Sequence, residues 1–147
     1  GGVRMLQAAK KGAQEGADAV GVTAPKLLAI TQLTSFSEEE MQTTQLVTVS
    51  MRESVIHLAQ LAAQAGVAGT ISSAFESADI HANTPVGFLS ITPGIRLAGD
   101  AVGDQSRVVT PARASEMGAD GIVVGRSITQ ATNPVAAYQL IETEFNA

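Results

Sequence analysis

Twice in this chain a helical pattern stops at a glycine and runs within a few residues into a β-branched segment. The first junction is Gly66-Val67-Ala68-Gly69-Thr70-Ile71 and the second, roughly 50 residues on, is Gly118-Ala119-Asp120-Gly121-Ile122-Val123. A helix closed by glycine and followed at once by a short strand is the joint of a βα unit, so the chain is predicted to build a parallel sheet with helical crossovers.

The remaining elements fall into the same alternation. A first helix is expected over Val3–Glu15, with Met5, Leu6, Ala9 and Ala13 on one face and Gly16 as its stop, followed by a connection from Gly16 to Pro25. A buried strand is expected over Leu27–Leu33, ending at Thr34-Ser35. Ser37 and Glu40 have the spacing of a capping box at the start of a short helix. Met51–Ala65 reads as a longer helix with Val55, Leu58, Leu61 and Ala62 inward and Gly66 as its stop. A strand over Val67–Ile71 follows, then a second capping-box spacing, Ser73 to Glu76, at a brief helix. The third strand is expected over Val86–Ile91. After a long glycine-rich loop from Thr92 to Val109, Thr110-Pro111 starts a helix that reaches Met117 and stops at Gly118. Ile122–Val124 is the fourth strand, and Asn133-Pro134 opens a terminal helix with Val135, Tyr138, Leu140 and Ile141 available for packing. Four such strands are too few to close a barrel, whereas eight units in about 250 residues form a TIM barrel. The expectation is an α/β chain covering about four βα units of a (βα)8 barrel. The start Gly1-Gly2-Val3-Arg4, without methionine, fits a fragment of a larger domain.

Composition narrows the function. Nine basic against 14 acidic residues give a net charge of −5, and only 3% of the chain is aromatic, which disfavours nucleic-acid binding. Cysteine is absent, excluding disulfides, thiolate nucleophiles and thiolate metal sites and making a reducing cytoplasm the default location. Apolar runs such as Leu27–Ile30 are far short of the roughly 20 residues that span a bilayer.

Two strand ends carry the chemistry. Ile122-Val123-Val124-Gly125-Arg126-Ser127-Ile128-Thr129 delivers a glycine, which lets an anion approach the backbone, and then a guanidinium whose planar fork matches phosphate oxygens. Thr92-Pro93-Gly94-Ile95-Arg96 begins a loop with Asp104-Gln105-Ser106-Arg107 at its far end, which could bring Arg96 and Gln105 onto a ligand. In barrels of this class the loops after the last strands form the usual phosphate site. A plain glycine turn with a solvated arginine is the alternative at each place. His57 and His81 have no carboxylate or second histidine at ligand spacing and read as surface or packing residues, with no metal expected. Glu38, Glu39 and Glu40 read as a solvated helix N-terminus, and Asp100 and Asp104 as turn formers.

Four segments in order, LLAITQLTS (Leu27–Ser35), SITPGIR (Ser90–Arg96), GDQSRVVTP (Gly103–Pro111) and GADGIVVGRSIT (Gly118–Thr129), resemble the C-terminal half of bacterial-type orotidine 5′-phosphate decarboxylases. The resemblance implies cofactor-free conversion of orotidine 5′-monophosphate to UMP in pyrimidine biosynthesis by a homodimeric enzyme. It implies substrate binding by Thr34, Arg96, Gln105, Gly125 and Arg126, the last four at the phosphate. The family's catalytic signature, Asp-x-Lys-x-x-Asp, does not occur in this sequence: the lysines are Lys10, Lys11 and Lys26, none with aspartate three residues on. The chain alone is therefore expected to be inactive. Two alternatives remain open on sequence grounds: a phosphate-binding barrel enzyme of different chemistry, such as a sugar-phosphate decarboxylase or synthase, and a non-catalytic nucleotide-binding half-barrel.

Overall fold

The structure is a computed structural model that describes residues 1–98 and 107–147. Four strands, β1 (Leu28–Ile30), β2 (Gly69–Ile71), β3 (Leu89–Thr92) and β4 (Gly121–Ile122), form one sheet in the order β1-β2-β3-β4. Every pairing is parallel, with Leu28, Gly69 and Leu89 in one row and Ile30, Ile71, Ile91 and Gly121 in another. Among the described residues seven α-helices connect or flank them: α1 (Gly2–Val20), α2 (Glu38–Gln45), α3 (Met51–Ala65), α4 (Ser77–Asn83), α5 (Pro111–Glu116), α6 (Arg126–Thr129) and α7 (Pro134–Phe145). The expected α/β partial barrel is thus present among the described residues.

The helices cover one face of the sheet. Along β3 burial alternates, with Ser90 and Thr92 buried and Leu89 and Ile91 half-buried. Ala29 packs against the main core of Met41, Met51, Val55, Ala59, Ala62, Val67, Ile80 and Phe88. A smaller cluster of Ala74, Ile95, Ala114 and Ala119 lies under α5. Gly69 is needed for close approach, because a Cβ there would lie 2.3 Å from the Leu89 carbonyl oxygen and 2.6 Å from its Cβ. The opposite face carries the isoleucine row, and Ile30 at its edge is 60% exposed. An apolar face on a parallel sheet is ordinarily covered. Beyond β4 an apolar groove of about 500 Å³ opens between Ile122, Val124, Tyr138, Ile141 and Phe145.

Several boundaries differ from the sequence expectation. The first helix passes through Gly16 and ends at Gly21, which adopts the left-handed conformation at φ 70° and accepts the stop that Gly16 was expected to make. Gly16 is exposed, so its lack of a side chain costs helix propensity and no packing. The first strand is only Leu28–Ile30, and Leu33 is 52% exposed because this is the edge of an uncovered face. β3 starts at Leu89, as Gly87 at φ 85° turns the chain and leaves Val86 outside. β4 is Gly121–Ile122, with Val123 exposed on the uncovered side.

The limits of α3 are as expected, but its buried stripe is Met51, Val55, Ala59, Ala62 and Ala65; Leu58 and Leu61 flank it. Alanines face the sheet because the helix sits close to it. Its start is a second full capping box, Ser50 with Glu53, and the Ser37–Glu40 box forms at α2. Ser73 caps nothing through its side chain: Ala74–Glu76 is a single 3-10 turn and Glu76 is turned inward. Thr110 and Asn133 cap α5 and α7 as expected. On α7 only Ala137 and Ile141 are buried, while Val135, Tyr138 and Leu140 are exposed.

Ile80, fully buried in the main core, sets a test of that packing. Ile80→Ala should lower unfolding free energy by about 2–5 kcal/mol, read from the urea midpoint. The uncovered isoleucine row should make the isolated chain bind an apolar dye such as ANS and self-associate in size-exclusion chromatography.

Candidate functional site

Parallel strands in chain order send all their following segments out over one rim. Thr34 follows β1, Glu76 closes the turn after β2, Arg96 follows β3, and Gly125 and Arg126 follow β4. At about 4.8 Å per strand, the β1 and β4 exits lie roughly 14 Å apart, so a ligand touching both must extend along the rim.

The β1 exit is fixed from below. Thr31 continues the ladder, its backbone N–H and hydroxyl both donating to the Ile71 carbonyl at 3.1 and 3.0 Å. Gln32 is buried and exchanges amide hydrogen bonds with Gln45 at 3.0 and 2.7 Å, and it also donates to the Ser54 hydroxyl at 2.8 Å. The Leu33 carbonyl accepts the Phe36 N–H at 3.1 Å, closing the turn that holds Thr34, which is buried.

The β3 exit turns at Gly94, whose φ of 78° favours glycine. Ile95 and Val109 form a parallel bridge, with Arg96 N–H donating to the Val109 carbonyl at 3.1 Å and Val109 N–H to Gly94 at 3.4 Å. The two ends of the long loop therefore meet at its base. Arg96 is only 8% exposed, and its Nη1 donates to the Ile95 carbonyl at 2.8 Å. Gln105, Asp100 and Asp104 lie outside the described residues. At the β4 exit Gly125 caps the four-residue α6, its carbonyl accepting the N–H groups of Ile128 and Thr129 at 2.9 and 3.0 Å. Gly125 and Arg126 are exposed, and Ser127 is buried. Thr34, Arg96, Gly125 and Arg126 thus share the rim, two of them buried and two open to solvent.

Sequence reasoning missed the ion pair on this rim. Arg107 Nη1 meets Glu76 Oε1, and Arg107 Nη2 donates to the Leu33 carbonyl at 3.2 Å. The Glu76 side chain is 8% exposed. Burial pushes the Glu76 carboxyl above its ordinary value, against the pull of Arg107 and of the Ser73 backbone. The one available signal was an acid set among small residues, Ser72-Ser73-Ala74-Phe75-Glu76-Ser77, directly after a strand.

Elsewhere the acids are engaged in structure. Glu40 accepts the Ser37 N–H at 2.8 Å, which holds its carboxyl below the ordinary range, and Glu38 accepts the Met51 N–H at 2.7 Å. His81 has a carboxylate partner 39 residues on in sequence: its Nε2 lies 2.9 Å from Asp120 Oδ2, which also accepts the Ser90 N–H at 2.7 Å. This clasp precedes β4, at the opposite end of the strands from Thr34. Among the described residues no group of three or more His, Asp or Glu is placed to hold a metal, and no helix is long and apolar enough to cross a membrane.

Residues 1–141 match the model of the "Orotidine 5'-phosphate decarboxylase / HUMPS family". Curated relatives named orotidine 5′-phosphate decarboxylase include that of Enterococcus faecalis, 53% identical over 99% of this chain and 61% of its own length. That of Listeria monocytogenes is 50% identical over all of this chain and 62% of its own length. The chain thus spans about three-fifths of the curated relatives it matches. Among solved structures, the decarboxylase from Lactobacillus acidophilus superposes with a TM-score of 0.83 at 42% identity, covering 99% of this chain and 60% of its own. The enzyme from Methanocaldococcus jannaschii, complexed with the inhibitor BMP, matches at a TM-score of 0.60 and 17% identity, covering 96% of this chain and 57% of its own, a likeness of fold alone.

The raised Glu76 carboxyl sets a pH dependence. Between the ordinary value of 4.5 and its higher folded value, the folded state keeps a proton that the unfolded chain has lost. Stability from this group is fully present below 4.5 and is lost as pH rises through the folded value. Glu76→Gln should flatten the urea midpoint across that interval, measured at steps of pH from 4 upward.

Proposed function

The chain belongs to the orotidine 5′-phosphate decarboxylase / HUMPS family, and we propose that it is the substrate-gripping portion of an orotidine 5′-phosphate decarboxylase. In this reading the intact enzyme, a cytoplasmic homodimer, removes the C6 carboxylate of orotidine 5′-monophosphate to give UMP for pyrimidine biosynthesis, without metal or cofactor. The observation that carries the reading is identity of 50% or more to named decarboxylases across essentially the whole chain, combined with the convergence of Thr34, Arg96 and Gly125–Arg126 on one rim.

The roles follow from the chemistry of each group. Arg96 and Arg126, leaving adjacent strands, bring two guanidinium groups to the phosphate, and Gly125 admits it close to the backbone. Gln105 completes the grip. Thr34, at the far edge of the rim, contacts the nucleoside end of an extended nucleotide. Phosphate contacts remote from the reacting carbon supply binding energy that can be used in the transition state. The proton donor and opposing carboxylates of the family's Asp-x-Lys-x-x-Asp signature do not occur in these 147 residues. We therefore assign this stretch to the C-terminal half of one barrel domain and read it as inactive alone.

In the full-length protein, Arg126→Ala should raise KM for orotidine 5′-monophosphate and weaken UMP binding by roughly 10- to 100-fold, the worth of a charge-assisted hydrogen bond. Decarboxylation followed by ultraviolet absorbance and UMP titration calorimetry provide the measurements. Unchanged UMP affinity removes Arg126 from the site, and turnover of a sugar phosphate in place of the nucleotide overturns the reading.

A further inference from the structure

Three strand exits on the rim are tied together by one guanidinium. Arg107 reaches Glu76, beyond β2, with Nη1 and the Leu33 carbonyl, beyond β1, with Nη2, while Arg107 itself lies beyond β3. Its neighbours complete the circuit. Two residues on, the Val109 carbonyl accepts the Arg96 N–H at 3.1 Å, and Leu33 immediately precedes Thr34. A continuous path therefore runs from Thr34 through the Leu33 carbonyl, Arg107 and Val109 to Arg96. We infer that Glu76 and Arg107 are positioning residues, which lock the exits of β1, β2 and β3 together and so hold Thr34 in register with Arg96. The inference deepens the decarboxylase reading and rests on it for the substrate named below.

The pair is poorly suited to a purely stabilising role. Side-chain exposure is 16% for Arg107 and 8% for Glu76, so both charges are largely desolvated. Glu76 Oε2 and Arg107 Nε are buried without a hydrogen-bond partner. Desolvation at such a pair consumes most of the Coulombic gain, and apolar replacements of similar volume are often as stable or more so. What an apolar pair would not supply is direction. The guanidinium fork fixes two acceptors on different segments at once, and a lysine, with a single ammonium on a flexible stem, does not reproduce that geometry.

The test uses the full-length protein with Glu76→Gln, Arg107→Lys, Arg107→Met and the double variant Glu76→Gln/Arg107→Met. The first readout is hydrogen exchange at the Phe36 amide, which is bonded to the Leu33 carbonyl. The Arg107 variants should accelerate it about 10-fold or more, with Val55 in α3 as an unchanged control. The second is kcat/KM for orotidine 5′-monophosphate and for orotidine, which lacks the phosphate. Register between Thr34 and Arg96 matters only when one ligand engages both, so every variant should lose about 10-fold or more on the nucleotide and under about 3-fold on the nucleoside. Because the two residues act as a unit, the double variant should be no worse than Arg107→Met. Glu76→Gln keeps size and shape, so it reports even if Arg107→Met misfolds. Unchanged Phe36 exchange, or equal losses on both substrates, overturns the inference. A wild-type protein that leaves orotidine 5′-monophosphate untouched refutes the decarboxylase reading instead, and Phe36 exchange then decides the coupling of the exits on its own.

Discussion

Each strand of the sheet runs parallel to its neighbour and pairs with the strand before it in sequence. This geometry gathers the segments that follow the four strands on a single rim, so residues as distant in sequence as Thr34 and Arg126 come to lie along one edge. It also exposes the molecule. Parallel sheets depend on cover over both faces, yet among the described residues helices cover one face and the isoleucine row of Ile30, Ile71 and Ile91 is left on the other. The residues that the chain displays there have the shape and polarity of a barrel interior.

The helix-covered face is built on a different principle. Its sheet residues are small and hydroxylated, with Ser90 bonded to Ser72 at 3.1 Å and to Ser77 at 2.9 Å. Together with the Gly69 contact and the alanines of α3, this lets backbone layers approach closely. The cost falls on Thr70 and Thr92, whose hydroxyl oxygens are buried without a partner. Tight layering gives the rim a firm base, because side chains such as Gln32 are held by hydrogen bonds to two separate helices, α2 and α3.

Local signals were read well from sequence, and signals that depend on sequence-distant partners were not. Ser37, Thr110 and Asn133 cap helices because capping is decided within four residues, and Gly66 stops α3 for the same reason. Gly16 misled because a glycine in an exposed helix position weakens a helix without ending it. Ser73 and Glu76 had the spacing of a cap, but a partner 31 residues away claimed the carboxylate. The outward turn of Leu33, Val135 and Leu140 was hidden too, since periodicity identifies an apolar face without saying whether anything covers it. At the rim, the strand-end position of the glycine and arginine motifs after β3 and β4 was legible, whereas nothing local pointed from Arg107 to Leu33.

The phosphate site proposed for this chain of net charge −5 requires that the local field differ from the overall one. Screening makes this possible, since exposed charges more than about 8–10 Å away contribute little at physiological ionic strength. The acids nearest to structure are also engaged: Glu38 and Glu40 in caps, Asp79 in a bidentate pair with Arg52, and Asp120 with His81. Among the described residues Glu76 is the carboxylate that stands on the rim itself, and left alone it would oppose a phosphate. Arg107 offsets it through the Nη1–Oε1 contact. The same guanidinium therefore bridges two strand exits and balances the carboxylate that a phosphate at the proposed site would meet.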